Sequence, residues 1–317
     1  MVTTLVPKNE NVVELVSKAQ ALLSLAKSPN TIRAYKSDWQ NFQGWCGDHG
    51  LDSLPASAET ICLFLTANVE RLKPASLQRH LASIGQAHQA AGHDSPSAHI
   101  LVRNLMAGIR RQRGVAQQGK SPILIDDLRS MILALPASSA GVRDKAILLL
   151  GFASACRRGE IVALDMEDVS IEKEGLIINI RKSKTDQEGS GMKKAIPFGN
   201  NGATCPVLAF RAWVEESGIV EGPVFRGIDK HGSISSKRLS DHAVALILKK
   251  LAKSIGIDPT RISGHSLRAG MVTMAAKNGA SETSIMKQTG HRSNTMVQRY
   301  IRESRIFQDC PAGKIGL

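Results

Sequence analysis

The stretch GLIINIRKSK, residues 175–184, decides the fold class because its pattern differs from that of the chain around it. Leu176, Ile178 and Ile180 alternate with other side chains, and this two-residue period with β-branched residues predicts a strand with one buried face. A glycine-rich segment, EGSGM, follows, and KKAIPF forms a second short run. The pattern predicts a β-hairpin, with Lys184 where the first strand ends.

Elsewhere the apolar residues recur at steps of three and four, which is the spacing of one helix face. The stripe from Ile32 to Cys46 is an example, and it leaves Arg33 and Asp38 on the opposite, polar face. The expected fold class is therefore mainly α with a small antiparallel β-sheet (α+β). Helices are predicted at residues 28–47, 76–91, 100–110, 125–135, 142–155, 206–217, 239–255, 266–278, 281–289 and 293–303, and a second strand pair at 224–234.

The stretch IRRQRGVAQQGKSP, residues 109–122, contains glycine, glutamine and basic residues without an apolar period. Such a segment is typical of an exposed linker. A chain of 317 residues is long enough for two domains that each bury a core. We therefore expect an all-helical domain over residues 1–112, a linker over residues 113–122, and a second domain over residues 123–317.

The chain is strongly basic, with 41 lysines and arginines against 28 aspartates and glutamates. The formal net charge of +13 attracts polyanions, and nucleic acid is the commonest such partner, with a membrane surface as the alternative. The amino terminus lacks the layout of a signal peptide, and the longest apolar run is shorter than the ~20 residues of a membrane span. We expect a soluble, cytoplasmic protein.

The five cysteines are odd in number and scattered, without a C-x-x-C pair. This usage is typical of reduced thiols and gives no pattern for a bridge or a zinc site. The sequence also lacks the phosphate-binding loop G-x-x-x-x-G-K-[ST], the H-E-x-x-H motif and an acidic cluster for magnesium. We expect no metal site and no cofactor.

Four pieces of the second domain carry basic or nucleophilic residues that packing does not require. They are ACRRGEI (155–161), RKSKT (181–185), GHSLRAG (264–270) and GHRSNTMVQRYIR (290–302). Together they supply arginines, histidines, a lysine and a tyrosine, without paired carboxylates. This set suits phosphoryl transfer from a phosphodiester, because arginines match the charged non-bridging oxygens with two hydrogen bonds each.

Each of these side chains has a chemical role in such a reaction. Arg157 and Arg268 would bind the non-bridging oxygens, and Tyr300 would be the nucleophile, activated by His265 or by nearby positive charge. Lys184 would protonate the leaving alkoxide. An ester on Tyr300 would conserve the bond energy, so the strand of DNA or RNA could be rejoined without ATP.

In order along the chain, these motifs resemble the tyrosine recombinase (phage integrase) family, with a Cre-like arrangement. The family pattern is an arginine three residues before a glutamate, a hairpin lysine, H-x-x-R, G-[HW], and a tyrosine nine residues later. This sequence matches it at Arg157, Glu160, Lys184, His265, Arg268, Gly290, His291 and Tyr300. One departure is Ala155-Cys156, where the family usually has Gly-Leu.

The resemblance extends to SPNTIRAYKSDWQNFQGWC and LKPASLQRHLASIGQAH, which are similar to the family's helical DNA-clamping domain. It implies a SAM-like core-binding domain and a catalytic domain with a carboxy-terminal exchange segment, residues 301–317. It further implies cleavage of one strand at a time through a 3′-phosphotyrosyl intermediate and a Holliday junction. In that scheme His291 joins the two arginines on the phosphate, His265 does acid or base work, and Glu160 supports the pocket.

The implied partner is double-stranded DNA with an inverted-repeat site, bound by a dimer that pairs into a tetramer. A mobile element would carry such an enzyme, and the protein would associate with the nucleoid. Specific contacts are expected from two helices and from the basic linker. The expected DNA-binding residues are Arg33, Arg79, Arg110, Arg111 and Arg113.

Two other functions fit part of the pattern. A type IB topoisomerase would use much the same chemistry to relax DNA, and a regulator derived from an integrase would bind DNA without cutting it. Tyr300 taken alone is more often a packing aromatic. The general acid is also open at this stage, because three more lysines lie nearby, namely Lys182, Lys193 and Lys194.

Overall fold

The computed structural model describes residues 10–24, 26–114, 119–183, 186, 191–290, 297–298, 300–301 and 315; for residues 10, 11, 13 and 24 it describes the backbone alone. The chain divides into two compact units, residues 1–118 and 119–317. No helix among the described residues combines the length and the apolar character that a membrane span requires.

The first unit is helical throughout its described part. Ser28 and Ser57 accept hydrogen bonds from the first turns of two helices, and Pro29 stands at the start of one of them, where its missing N–H costs nothing. Phe42, Phe64 and Leu77 are fully buried in the core. The helices are α1 Glu10–Ser24, α2 Pro29–Asp48, α3 Ala58–Asn68, α4 Pro74–Ala90 and α5 Ile100–Arg113.

The second unit packs helices around a core that contains a three-stranded antiparallel sheet, and a separate two-stranded ribbon adds to it. The expected fold class, mainly α with a small antiparallel sheet, is confirmed. The helices are α6 Ile125–Leu133, α7 Ser139–Ala153, α8 Arg158–Ala163, α9 Pro206–Ser217, α10 Asp241–Ser254, α11 Ser266–Lys277 and α12 Glu282–Thr289. The strands are β1 Val169–Ile171, β2 Gly175–Ile180, β3 Met192–Pro197, β4 Arg226–Ile228 and β5 Ile234–Arg238.

The predicted hairpin is formed by β2 and β3, which pair from Gly175 opposite Pro197 to Ile180 opposite Met192. Leu176, Ile178 and Ile180 are buried, as their alternation predicts. On β3 the alternation buries Ile196 and also a lysine, Lys194, which stands opposite Ile178. The core face of the sheet therefore contains one cation.

Two predictions for the first unit are wrong. Residues 109–113 are not part of a linker but form the last turn of α5, so Arg110, Arg111 and Arg113 lie on a helix. Nothing stops the helix before Gly114, and cations are favourable at the end of a helix dipole. Asp38 is not on a solvated face either: it is only 4% exposed, and Arg79 of α4 covers it with hydrogen bonds of 2.6 and 2.9 Å.

The turn after α7 has an unusual backbone, because Ala155 has a φ of +50° and is the one non-glycine residue with positive φ in the described part of the chain. An L-residue with a Cβ is strained in this left-handed region. Cys156 continues the turn with its backbone N–H donating to Ser154 Oγ at 3.2 Å. The turn leads directly into α8.

Both glycines of GHSLRAG are explained by close packing. A Cβ on Gly270 would lie 1.8 Å from the carbonyl oxygen of Ile123, and one on Gly264 would lie 2.4 Å from Cδ of Arg158. The backbone N–H of Ile123 donates to the backbone oxygen of Ser266 at 3.0 Å, so the segment around Ile123 lies beside the start of α11. The glycines bring α11 close enough for that contact.

We predict that Gly270→Ala lowers the free energy of unfolding by about 3 kcal/mol, because a backbone carbonyl cannot yield to the added methyl group. The matched control is Gly159→Ala in α8, where a Cβ would meet nothing within 4 Å. That change should raise stability by about 0.5 kcal/mol, since alanine favours a helix. Urea denaturation measures both, and equal effects would contradict the packing described.

We also predict that Ala155→Gly lowers the free energy of unfolding by about 1–2 kcal/mol less than Ala146→Gly does. The reason is that only the first change relieves left-handed strain. Both alanines are fully buried, and Ala146 lies within α7. Each change removes one buried methyl group, so the difference isolates the backbone. Equal losses in urea denaturation would show that residue 155 is not left-handed in solution.

Candidate active site

The end of α7 gathers side chains from three other elements of the second unit. A helix leaves its last carbonyl groups without partners inside the helix. Here Gln288 of α12 donates to the oxygen of Ala153 at 3.0 Å, Lys194 of β3 donates to Ser154 at 3.0 Å, and Arg268 of α11 donates to Ala155 at 2.8 Å. Three successive carbonyls thus fix β3, α11 and α12 beside the turn that precedes Arg157.

Arg157 occupies the N-cap position of α8, and Glu160 folds back onto it. The Glu160 carboxylate accepts from the Arg157 backbone N–H at 2.8 Å and from its guanidinium at 2.5 Å. The arginine side chain is 16% exposed and the glutamate 6%. The carboxylate therefore caps the helix and holds the guanidinium at the surface of the unit, with donors left over for a ligand.

Arg268 is buried, and its hydrogen bond to the Ala155 carbonyl joins α11 to the turn. Burial lowers the pKa of its guanidinium to about 10, and the positive charge of Arg157 acts in the same direction. Glu160 and Tyr300 act in the opposite direction, so these groups share one electrostatic environment. An anion placed beside the two arginines would offset that repulsion.

Lys194 is a site residue whose position the sequence left open. It is 1% exposed, and burial lowers the pKa of its ammonium group. Its ammonium group donates to the Ser154 carbonyl at 3.0 Å and interacts electrostatically with the thiol of Cys156, whose pKa burial raises. Its place on the buried side of β3, two residues before Ile196, was readable from the two-residue period. What the period could not supply was the identity of its partners.

His265 and Tyr300 differ in exposure. His265 is exposed at the N-cap of α11, and its backbone N–H donates to Ser263 Oγ at 3.2 Å. Tyr300 is half-buried against a small apolar cluster that includes Val272 and Val297. The apolar contacts hold the ring while the phenol acts electrostatically on Arg268.

Lys184 and His291 lie outside the described residues, but the residues that precede them, Ser183 and Gly290, are described. Ser183 donates its backbone N–H to the oxygen of Asp186 at 3.2 Å, next to the predicted hairpin lysine. Gly290 is a left-handed C-cap of α12 with a φ of +69°, and a Cβ there would lie 2.9 Å from Cε of Met192. The residue before His291 thus lies against the start of β3.

The predicted DNA-binding arginines are all in the first unit and all exposed. Arg79 is bound to Asp38, and Arg113 forms an ion pair with Glu70. Arg110 donates to Gln78 at 2.9 Å, and Arg33 to Asn30 at 3.2 Å. Their contact with DNA remains a prediction, and Arg79 has a structural task in addition.

The described residues contain no group of three or more histidine, cysteine, aspartate and glutamate side chains that could share a metal ion. Cys46, Cys62, Cys156 and Cys205 are free thiols. The chemistry that the described site offers is that of two guanidiniums, an ammonium, a carboxylate, an imidazole and a phenol.

Comparison with known proteins identifies the family. The family model described as "Phage integrase family" matches residues 123–305, and the model "Phage integrase, N-terminal SAM-like domain" matches residues 20–94. An integrase/recombinase xerD homolog of Selenomonas ruminantium is 40% identical over 304 residues, which cover 95% of this chain and 89% of that protein.

Two solved structures have a similar fold. The XerH site-specific recombinase, bound to a palindromic difH substrate in a post-cleavage complex, has a TM-score of 0.62 and 14% identity over 82% of this chain and 72% of its own. A lambda integrase tetramer bound to a Holliday junction has a TM-score of 0.59 and 18% identity over 90% of this chain and 75% of its own. The chain therefore belongs to the phage integrase family and is a tyrosine-type site-specific recombinase.

Proposed function

We propose that this recombinase cleaves and rejoins DNA one strand at a time through a 3′-phosphotyrosyl ester on Tyr300, without a metal ion or ATP. The observation that carries the proposal is the pair of guanidiniums, Arg157 and Arg268, fixed at one turn by Glu160 and by the Ala155 carbonyl. Two arginines held in place in a largely buried site suit a phosphodiester whose charge grows in the transition state.

The two arginines differ in what they offer the phosphate. Arg157 is partly exposed and reaches solvent, whereas Arg268 is buried with one NH group committed to a carbonyl. Arg268 stays charged at neutral pH with a pKa of about 10, and a bound anion would offset the burial and the repulsion from Arg157 that lower it. The attraction should therefore increase as negative charge accumulates on the phosphate oxygens during attack.

Tyr300 is suited to be the nucleophile, because its ring is packed while its phenol lies in the field of Arg268. His265 at the exposed start of α11 can accept the proton of the attacking phenol. Lys184 at the hairpin supplies the proton for the leaving 5′-oxygen, and His291 completes the phosphate site in this scheme. The resulting ester conserves the free energy of the broken phosphodiester bond, so the DNA strand can be rejoined without ATP.

In this proposal the first unit, residues 1–112, clamps the DNA. Residues 123–317 carry out the chemistry, and residues 113–122 connect the two. Phosphate contacts come from the exposed arginines, among them Arg33 and Arg111.

A palindromic substrate in one relative and a Holliday junction with a tetramer in another support a dimer on an inverted-repeat site and a tetrameric synapse here. Residues 301–317 would be exchanged between protomers. Such an enzyme acts at the nucleoid and is carried by a mobile element.

We predict that Tyr300→Phe binds DNA like the wild type but forms no covalent adduct. The substrate is a nicked suicide duplex, selected from a random-sequence pool by covalent capture with wild-type protein in EDTA and without ATP. A denaturing gel detects the adduct. The matched control is Tyr35→Phe, which removes the hydroxyl of the chain's other tyrosine and should leave the adduct intact.

The outcomes separate the alternatives. An adduct in the Tyr300→Phe protein would mean another nucleophile, and failure of the wild type across the whole pool would favour a regulator that binds DNA without cutting it. Relaxation of supercoiled plasmids of any sequence would favour a type IB topoisomerase. An adduct that the wild type forms from the same pool with magnesium but not in EDTA would overturn metal independence.

We predict that Arg268→Lys slows single-turnover cleavage by at least about 100-fold, because an ammonium group keeps the charge but loses the planar fork. Arg261→Lys, an exposed site seven residues earlier, is the control and should change the rate less than about twofold. Thermal unfolding checks that both proteins fold. An Arg268→Lys rate equal to that of the wild type would show that the fork is not used.

A further inference from the structure

Lys194 places a cation where the pattern of its strand calls for an apolar side chain. Its neighbours on the same face of the sheet are Ile178, directly opposite, and Ile196, two residues along, and both are buried. A buried, unpaired ammonium group is costly, because it loses its hydration. A methionine would fill nearly the same space without that cost. The charge at this position therefore calls for an explanation beyond packing.

The contacts of Lys194 lead to the phosphate-binding arginines. Its ammonium group donates to the Ser154 carbonyl at 3.0 Å and interacts electrostatically with Cys156, so it acts on the residues on both sides of Ala155. The Ala155 carbonyl in turn accepts from Arg268 at 2.8 Å. The next residue after Cys156 is Arg157. Lys194 thus fixes the strained turn that precedes Arg157 and whose Ala155 carbonyl accepts from Arg268.

Among the residues that the structure describes, cations outnumber carboxylates at this turn. Arg157, Arg268 and Lys194 are cations, and Glu160 is the carboxylate that acts on them. Arg268 lowers the proton affinity of Lys194, whereas Glu160 and Cys156 raise it. A bound phosphodiester would supply the missing negative charge. Since the surroundings are largely buried, Coulomb interactions there are stronger than in water.

We propose that Lys194 is a positioning residue of the recombinase: it acts through the 154–157 turn and through its charge to prepare Arg157 and Arg268 for the scissile phosphate, without touching DNA. The proposal rests on the proposed function of the same site. It assigns the buried lysine a task distinct from the general acid, because its ammonium group faces Ser154 and Cys156 in the interior. It predicts that removal of this lysine impairs cleavage much more than stability.

The test compares Lys194→Met, which removes charge and donor, with Lys194→Gln, which keeps a donor without charge. In urea denaturation, Lys194→Met should change the free energy of unfolding by less than about 1 kcal/mol, because removal of a buried cation offsets the loss of the donor to the buried Ser154 carbonyl. It should nevertheless cleave the captured phosphodiester substrate about 100-fold more slowly in a single turnover, with DNA affinity within about threefold of the wild type. Lys194→Gln should be intermediate if the donor contributes.

Ile178→Met is the matched control, because it changes the residue opposite Lys194 on the buried face without altering charge. It should cleave like the wild type. A second substrate carries a neutral methylphosphonate at the scissile position. On it the defect of Lys194→Met should shrink to below about tenfold, since less negative charge needs to be stabilised.

Two results would overturn the proposal: wild-type cleavage by Lys194→Met, or an equal defect on the charged and neutral substrates. The first would mean that the lysine has no part in catalysis, and the second that only the shape of the turn matters. Both remain distinguishable from failure of the proposed function, because in that case the wild type itself would form no adduct.

Discussion

The three carbonyl groups at the end of α7 are the point on which the catalytic unit depends. Backbone carbonyls that a helix leaves unpaired must find donors when they are buried. Gln288, Lys194 and Arg268 are those donors, and they belong to α12, β3 and α11. Satisfying the end of one helix therefore brings together elements that are far apart in sequence. Arg157, which we propose binds the phosphate, follows at the same place.

The same arrangement explains why positive charge can accumulate there. Isolated cations in a protein interior are unfavourable, and burial alone would displace them or remove their protons. Carbonyl oxygens at a helix C-terminus carry partial negative charge and compensate in part. Glu160 adds a full negative charge and caps α8 at the same time. The remaining positive charge is available for a phosphate that arrives with DNA.

Sequence patterns predicted much of this unit and missed its connections. Alternation predicted β2 and β3 correctly, and motif order predicted that Arg157, Glu160, His265, Arg268 and Tyr300 act as one set. The predicted linker began too early, because basic residues without an apolar period still form the last turn of α5. Asp38 was expected on the polar face of its helix and Arg79 at the DNA, but they meet across α2 and α4. Such pairs depend on which helix faces which, and periodicity within one segment contains no information about that.

The sequence by itself determined the chemistry: the residue types, their order and spacing, and the excess of positive charge. Those are local or summed properties of the chain, so no fold is needed to read them. Only the tertiary structure decided that Lys194 faces the interior at Ser154, that Ala155 is left-handed, and that Gly270 admits the Ile123 carbonyl. The physical reason is that each of these depends on atoms from distant segments meeting at one place, where close packing and unpaired backbone groups leave few choices.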